Sequence, residues 1–138
     1  MDYLSNLLQT TECRVKLFLL GNIFNRVDEF YARNLRLQEI HRWRETDTRG
    51  VMFKLGPHTI LELIDDRRSA AIVSACGLSL AVEDVWKLHQ ELVRNGISTS
   101  PIKERNWGDT SFSVEDPSGF SIVFFSKTVR RLDIKPKL

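Results

Sequence analysis

Cysteine is scarce in this sequence. Cys13 and Cys76 are the two among 138 residues, and they form neither a disulfide framework nor a zinc-binding spacing. Two thiols of this kind fit a reducing compartment, so a cytoplasmic location is expected, with a Cys13–Cys76 bridge as the open alternative. Proline (4) and glycine (7) are too few for a collagen-like or low-complexity chain. The longest apolar run, Val15 to Gly21, is interrupted by Lys16 and falls far short of the roughly 20 residues of a membrane helix. Met1 to Thr11 carries Asp2 and no basic start, so no secretory signal is expected. Charge of one sign is also missing. The 20 basic residues against 18 acidic ones leave +2, too little to imply nucleic acid or anionic lipid as partner. No glycine-rich phosphate loop, G-x-S-x-G or H-E-x-x-H is present.

What is there is an ordinary globular composition, 42% hydrophobic and 28% charged. A folded chain of this length buries roughly two-thirds of its unfolded surface and needs no staple. Two segments have helical spacing. Val27, Phe30, Tyr31 and Leu35 form one stripe, with Asn25 as the expected N-cap. Val85, Leu88, Leu92 and Val93 form another, with Asp84 as cap and Gly96 as the stop. The remainder reads as strands: Cys13 to Leu20, Gln38 to Arg44, Val51 to Leu55, His58 to Ile64, Gly77 to Val82, Ser98 to Arg105, Thr110 to Glu115 and Phe120 to Phe125. Gly56-Pro57 and Asp116-Pro117-Ser118-Gly119 are turns by residue chemistry.

The two halves repeat. Each reads strand, helix, three strands, and helix positions match at an offset of 58 (Val27 to Val85, Phe30 to Leu88, Leu35 to Val93). The expected fold is therefore α+β: two βαβββ modules in tandem, forming a curved mixed sheet with an open cleft. The division is 1–12 as an N-terminal extension, 13–65 as the first module and 66–76 as linker. Residues 77–127 form the second module, and 128–138 a basic tail. One helix per module covers one sheet face and leaves the other open, and paired open faces make a cleft suited to a ligand.

The pattern resembles the vicinal oxygen chelate superfamily, which includes glyoxalase I, extradiol dioxygenases and the fosfomycin- and bleomycin-resistance proteins. The resemblance runs from about residue 13 to 127. It is carried by Val27-Asp28-Glu29-Phe30-Tyr31 and Leu35 in the first module. In the second it is carried by Val82-Glu83-Asp84-Val85, Asn95-Gly96-Ile97, Trp107-Gly108 and Asp116-Pro117-Ser118-Gly119-Phe120. Arg36 stands where the family has glycine, and a left-handed backbone is costlier for arginine, so a different helix exit is expected.

In the family's enzymes, four strand positions hold a divalent metal that acts as a Lewis acid. The resemblance maps them near Lys16, Glu62, Gly77 and Val123, of which only Glu62 is a ligand type. One carboxylate cannot hold a catalytic metal, which needs about three protein ligands, so no metal and no cofactor is expected. The bleomycin-resistance proteins, which bind a drug in a cleft without chemistry, are the nearest in character. They imply a homodimer.

The expected ligand-binding residues are Glu62, Trp107, Phe112, Trp43 and Lys16. Glu62 would receive a cationic or hydrogen-bonding group, or be occupied by an ion pair with Lys16. Trp107 and Trp43 would stack on an aromatic or cationic ligand, or serve as core or interface residues. Phe112 is expected on the open face because pairing around the Asp116–Gly119 turn sets 112 opposite 123. Phe18 is expected there too, with core packing as its alternative. His41 is expected to approach the same face from the second strand, whereas His89 is a helix-face residue. The leading expectation is a protein that binds a small aromatic or cationic compound, with no catalytic residue, as in drug sequestration. The alternatives are a metal-dependent lyase or dioxygenase using His41 with Glu62, and a regulatory domain whose cleft is filled by side chains.

Overall fold

The computed structural model describes residues 11–66, 77–105 and 108–127. The chain divides into two units, Met1–Ala71 and Ile72–Leu138. Residues 1–10 of the expected extension 1–12, most of the linker, Trp107 and the tail lie outside the described residues.

In the first unit, β1 (Cys13–Leu19) is followed by α1 (Gly21–Glu29), β2 (Glu39–Arg44), β3 (Arg49–Lys54) and β4 (Thr59–Asp65). The sheet order is β1-β4-β3-β2, with β1 parallel to β4 and the other neighbours antiparallel. Alternation in β1 sends Val15, Leu17 and Leu19 to one face, where they neighbour Leu61, Leu63 and Asp65 of β4. Leu17, Leu19, Phe24, Val27, Tyr31, Val51, Phe53, Leu61 and Leu63 are buried. Tyr31 packs 6.2 Å from the Phe53 ring. Arg42 ties β2 to α1 through both Asp28 oxygens, at 2.9 and 3.1 Å. These bonds, with those to Glu39, hold the Arg42 guanidinium more firmly protonated than usual.

The start of α1 differs from the expectation. The helix begins at Gly21, not after Asn25, and its N-cap Leu20 has no capping side chain. A carboxylate from β4 takes part instead: the Gly21 N–H donates to Asp65 Oδ1 at 3.3 Å. At its other end α1 passes into a π-helical turn, Phe30–Asn34, closed by Leu35 N–H to Phe30 O and Leu37 N–H to Tyr31 O. Arg36 then takes the left-handed conformation, φ +56°. The left-handed exit is therefore kept, with arginine in the glycine-type position, contrary to the expectation of a different exit.

The second unit repeats the order with β5 (Gly77–Ala81), α2 (Val85–Arg94), β6 (Lys103–Glu104), β7 (Asp109–Glu115) and β8 (Ser121–Lys127). Its sheet order is β5-β8-β7-β6. Here the caps are those expected. Asp84 Oδ1 accepts from Lys87 N–H at 3.0 Å, and Gly96 turns the chain at φ +81°. The strand expected over Ser98 to Arg105 shrinks to Lys103–Glu104. Pro101 has no N–H for a ladder, and Ser100 instead bonds Ser113 through its backbone N–H and its hydroxyl. Among the described residues, two four-stranded mixed sheets, each with one packed helix, give an α+β architecture.

Candidate functional site

The helices fix which sheet face is open. In the first unit Arg42 reaches Asp28, Arg49 lies 4.4 Å over the Phe24 ring, and Tyr31 meets Phe53. These side chains of β2 and β3 therefore face the α1 layer, and their alternates face away. The open face of the first sheet carries Lys16 and Phe18 from β1, Glu62 and Ile64 from β4, Gly50 and Met52 from β3, and His41 and Trp43 from β2.

Strand register arranges these residues in rows. Lys16 neighbours Glu62, Glu62 neighbours Met52, and Met52 neighbours His41. Phe18 neighbours Ile64, Ile64 neighbours Gly50, and Gly50 neighbours Trp43. The indole of Trp43 lies over Gly50, where an added Cβ would overlap its ring. The imidazole of His41 is stacked on that indole, 6.1 Å between centroids and 15° between planes. A strand-interior glycine thus gives the tryptophan room to lie on the sheet.

Glu62 is 5% exposed. Its Oε1 is buried and has no hydrogen-bond partner among the described residues. Lys16 Nζ stands 3.9 Å away, with half of its side chain exposed (53%). That distance permits charge attraction but not a hydrogen bond. A buried carboxylate oxygen without a hydrogen bond is costly, so a donor brought to it would be favoured. Cations dominate the remaining charge of the face. Arg14 and Lys54 also lie on it, beside Ile60, and Arg14 is paired with Glu12 at 2.6 Å.

The expected residues thus separate. Lys16, Glu62 and Trp43 share the open face of the first sheet, joined by Phe18, His41, Met52 and Gly50. Met52 and Gly50 were not singled out from the sequence, although the β2–β3 pairing that places them follows from Trp43 once register is known. Trp107 lies outside the described residues. Phe112 is a correction. It neighbours Phe124, not Val123, and sits edge-on to His89 of α2 at 4.9 Å, only 2% exposed. It is a core residue of the helix side. His89 Nε2 bonds the Thr99 hydroxyl at 3.0 Å. A surface groove along α2, lined by Trp86, Val93, Pro101 and Ile102, contains none of the expected ligand-binding residues.

The residues present do not fit the metal that the fold family implies. Lys16 is a cation, Gly77 has no side chain, and Val123 neighbours Ser79, so these positions of the second sheet offer a hydroxyl and an aliphatic side chain. Among the described residues no group of three His, Cys, Asp or Glu could hold an ion.

Comparison with known proteins matches this architecture. Among solved structures, the antibiotic-binding protein TnmS3 from Streptomyces sp. CB03234 is similar over 87% of this chain and 98% of its own. Its TM-score is 0.67 and its identity 17%. A glyoxalase/bleomycin resistance protein from Catenulispora acidiphila covers 85% and 98%, with TM-score 0.64 and 16% identity. The YycE protein of Bacillus subtilis, a putative glyoxalase/fosfomycin resistance protein by description, covers 84% and 89%, with TM-score 0.60 and 25% identity. No curated protein sequence matches. Residues 27–124 match the family model described as the Glyoxalase/Bleomycin resistance protein/Dioxygenase superfamily, and the chain belongs to that superfamily.

Proposed function

We propose that this protein binds a small organic compound on the open face of its first sheet and holds it without chemistry, as a sequestering protein does. The observation that carries the reading is the buried Glu62 Oε1, without a hydrogen bond among the described residues, on the same face as the His41–Trp43 stack. A flat aromatic surface supplies area and a carboxylate supplies direction, which is how a mostly apolar site with few polar groups gains specificity. The fold similarity to an antibiotic-binding protein supports a compound of drug-like size. The lysine, glycine and valine at the mapped metal positions, with Ser79 beside Val123, argue for binding over metal-assisted turnover. Trp107 is proposed as a further aromatic contact, residues 13–65 and 77–127 as the module limits, and a cytoplasmic homodimer as the working form.

The test is a titration of the full chain with candidate compounds, followed by amide NMR and calorimetry. Binding should perturb Lys16, Trp43, Met52 and Glu62 together. Gly50→Ala displaces the indole without removing it and should weaken binding about tenfold. Compounds that perturb only the α2 groove, or that bind Gly50→Ala unchanged, would refute the site. Light scattering reads the oligomeric state, and a monomer at working concentration would remove the dimer.

A further inference from the structure

The polarity of the row across the open face says more about the ligand. The indole lies over Gly50 of β3. Glu62 is one strand further and two residues along, roughly 8 Å away at ~4.8 Å between strands and ~3.3 Å per residue. Lys16 is the next strand neighbour beyond Glu62. Moving from β2 to β1, a ligand meets an aromatic surface, then a buried acceptor, then a cation.

We propose that the site takes a zwitterionic aromatic compound: a planar ring followed by a protonated nitrogen and, next to it, a carboxylate. This rests on the binding site proposed above. The ring stacks against Trp43. The ligand N–H donates to Glu62 Oε1, which is buried and without a hydrogen-bond donor among the described residues, and which side-chain movement on the face, Lys16 included, would have to uncover. The carboxylate accepts from Lys16, which is half exposed and therefore able to turn from its 3.9 Å approach to Glu62 toward the ligand. Two features favour the zwitterion over a simple cation. A cation alone would leave Lys16 facing it, like charge against like. The face also carries Lys54 and Arg14 besides Lys16, against the single acid Glu62 and the Glu12 that holds Arg14. A simple anion fails for the opposite reason, because it leaves Glu62 unsatisfied and repelled. Matching both members of the pair replaces one loose ion pair with two charge-assisted hydrogen bonds.

Three probes with one ring test this at pH 7: 2-naphthylalanine, 2-(2-naphthyl)ethylamine and 3-(2-naphthyl)propionate. Calorimetry on the unmodified chain should rank the zwitterion at least tenfold tighter than either relative. Lys16→Met should remove the preference over the amine. Glu62→Gln should remove the preference over the acid. Both changes keep size and leave the backbone untouched. Equal affinity for the zwitterion and either relative overturns the proposal, as does a uniform loss across all three probes in both variants. If none of the three binds while other compounds perturb the open face by NMR, the ligand class falls and the binding site stands. If no compound perturbs that face, both fall.

Discussion

Glu62 is where local stability and use pull apart. Its carboxylate is buried, one oxygen lacks a donor, and the nearest cation is half exposed. Replacing a buried charge by an apolar side chain of similar volume is often neutral or stabilising, and functional sites commonly carry such a cost. Glu62→Met should therefore raise the stability of the ligand-free protein by about 1 kcal/mol, a rise in Tm of roughly 3 °C, while removing recognition of the ligand nitrogen. Glu62→Gln should not stabilise, because it still buries an unpaired polar atom. Thermal melts of the two variants decide this. A Glu62→Met protein that melts below the parent would mean that the carboxylate already has its partner. The Lys16–Glu62 neighbourhood was legible in the sequence because each residue is a charge set between apolar neighbours in its strand, Val15 and Leu17 for Lys16, Leu61 and Leu63 for Glu62. The shelf made by Gly50 was not, because an ordinary strand glycine carries no mark of the ring that covers it.

At the scale of elements, the turn between β7 and β8 sets which face each of their residues occupies. Asp116 is buried, and its Oδ1 accepts from Ser118 N–H at 2.7 Å, Ser118 Oγ–H at 2.6 Å and Phe120 N–H at 3.2 Å. Gly119 follows at φ +93°. Asp, Pro, Ser and Gly announce such a turn, but not its length. The paired residues that flank it are Glu115 and Ser121, one position away from the pairing the sequence suggested. A one-residue slip moves every side chain to the other face, and that is why Phe112 belongs to the core beneath α2. The start of α1 failed for a related reason, since its nearest substitute for a cap comes from Asp65, 44 residues away in the chain. Asp116→Ala should cost about 2–3 kcal/mol, because it strands buried donors in a closed turn. Asp116→Asn keeps an acceptor oxygen and should recover more than half of that loss. Urea unfolding of both variants measures it, and equal destabilisation would show that the charge, not the accepted hydrogen bonds, holds the turn.

At the scale of the whole chain, the two units share one topology but differ in what their open faces carry. The row Lys16–Glu62 in the first sheet corresponds by strand order to Ser79–Val123 in the second. Gly77, Ser79, Ala81 and Val123 leave that part of the second sheet without charge, whereas the first concentrates cations around one buried acid. The repeat, and with it the fold, was readable from the sequence because helix stripes and turn residues are local signals. The different use of the two faces emerges only when register assigns each residue to a side. The donor chemistry then carries a prediction for the intact protein. Zinc, nickel and manganese each need about three donors converging on one point, and a lysine, a serine and a valine supply no anionic or imidazole donor. After incubation with each ion and dialysis, elemental analysis of tag-free protein should give well under one ion per chain. The melting temperature should be unchanged by the ion, since an ion that binds the folded form must stabilise it. One ion per chain with a higher Tm, both abolished by Glu62→Gln, would place a metal at this carboxylate and return the protein to the catalytic side of its superfamily.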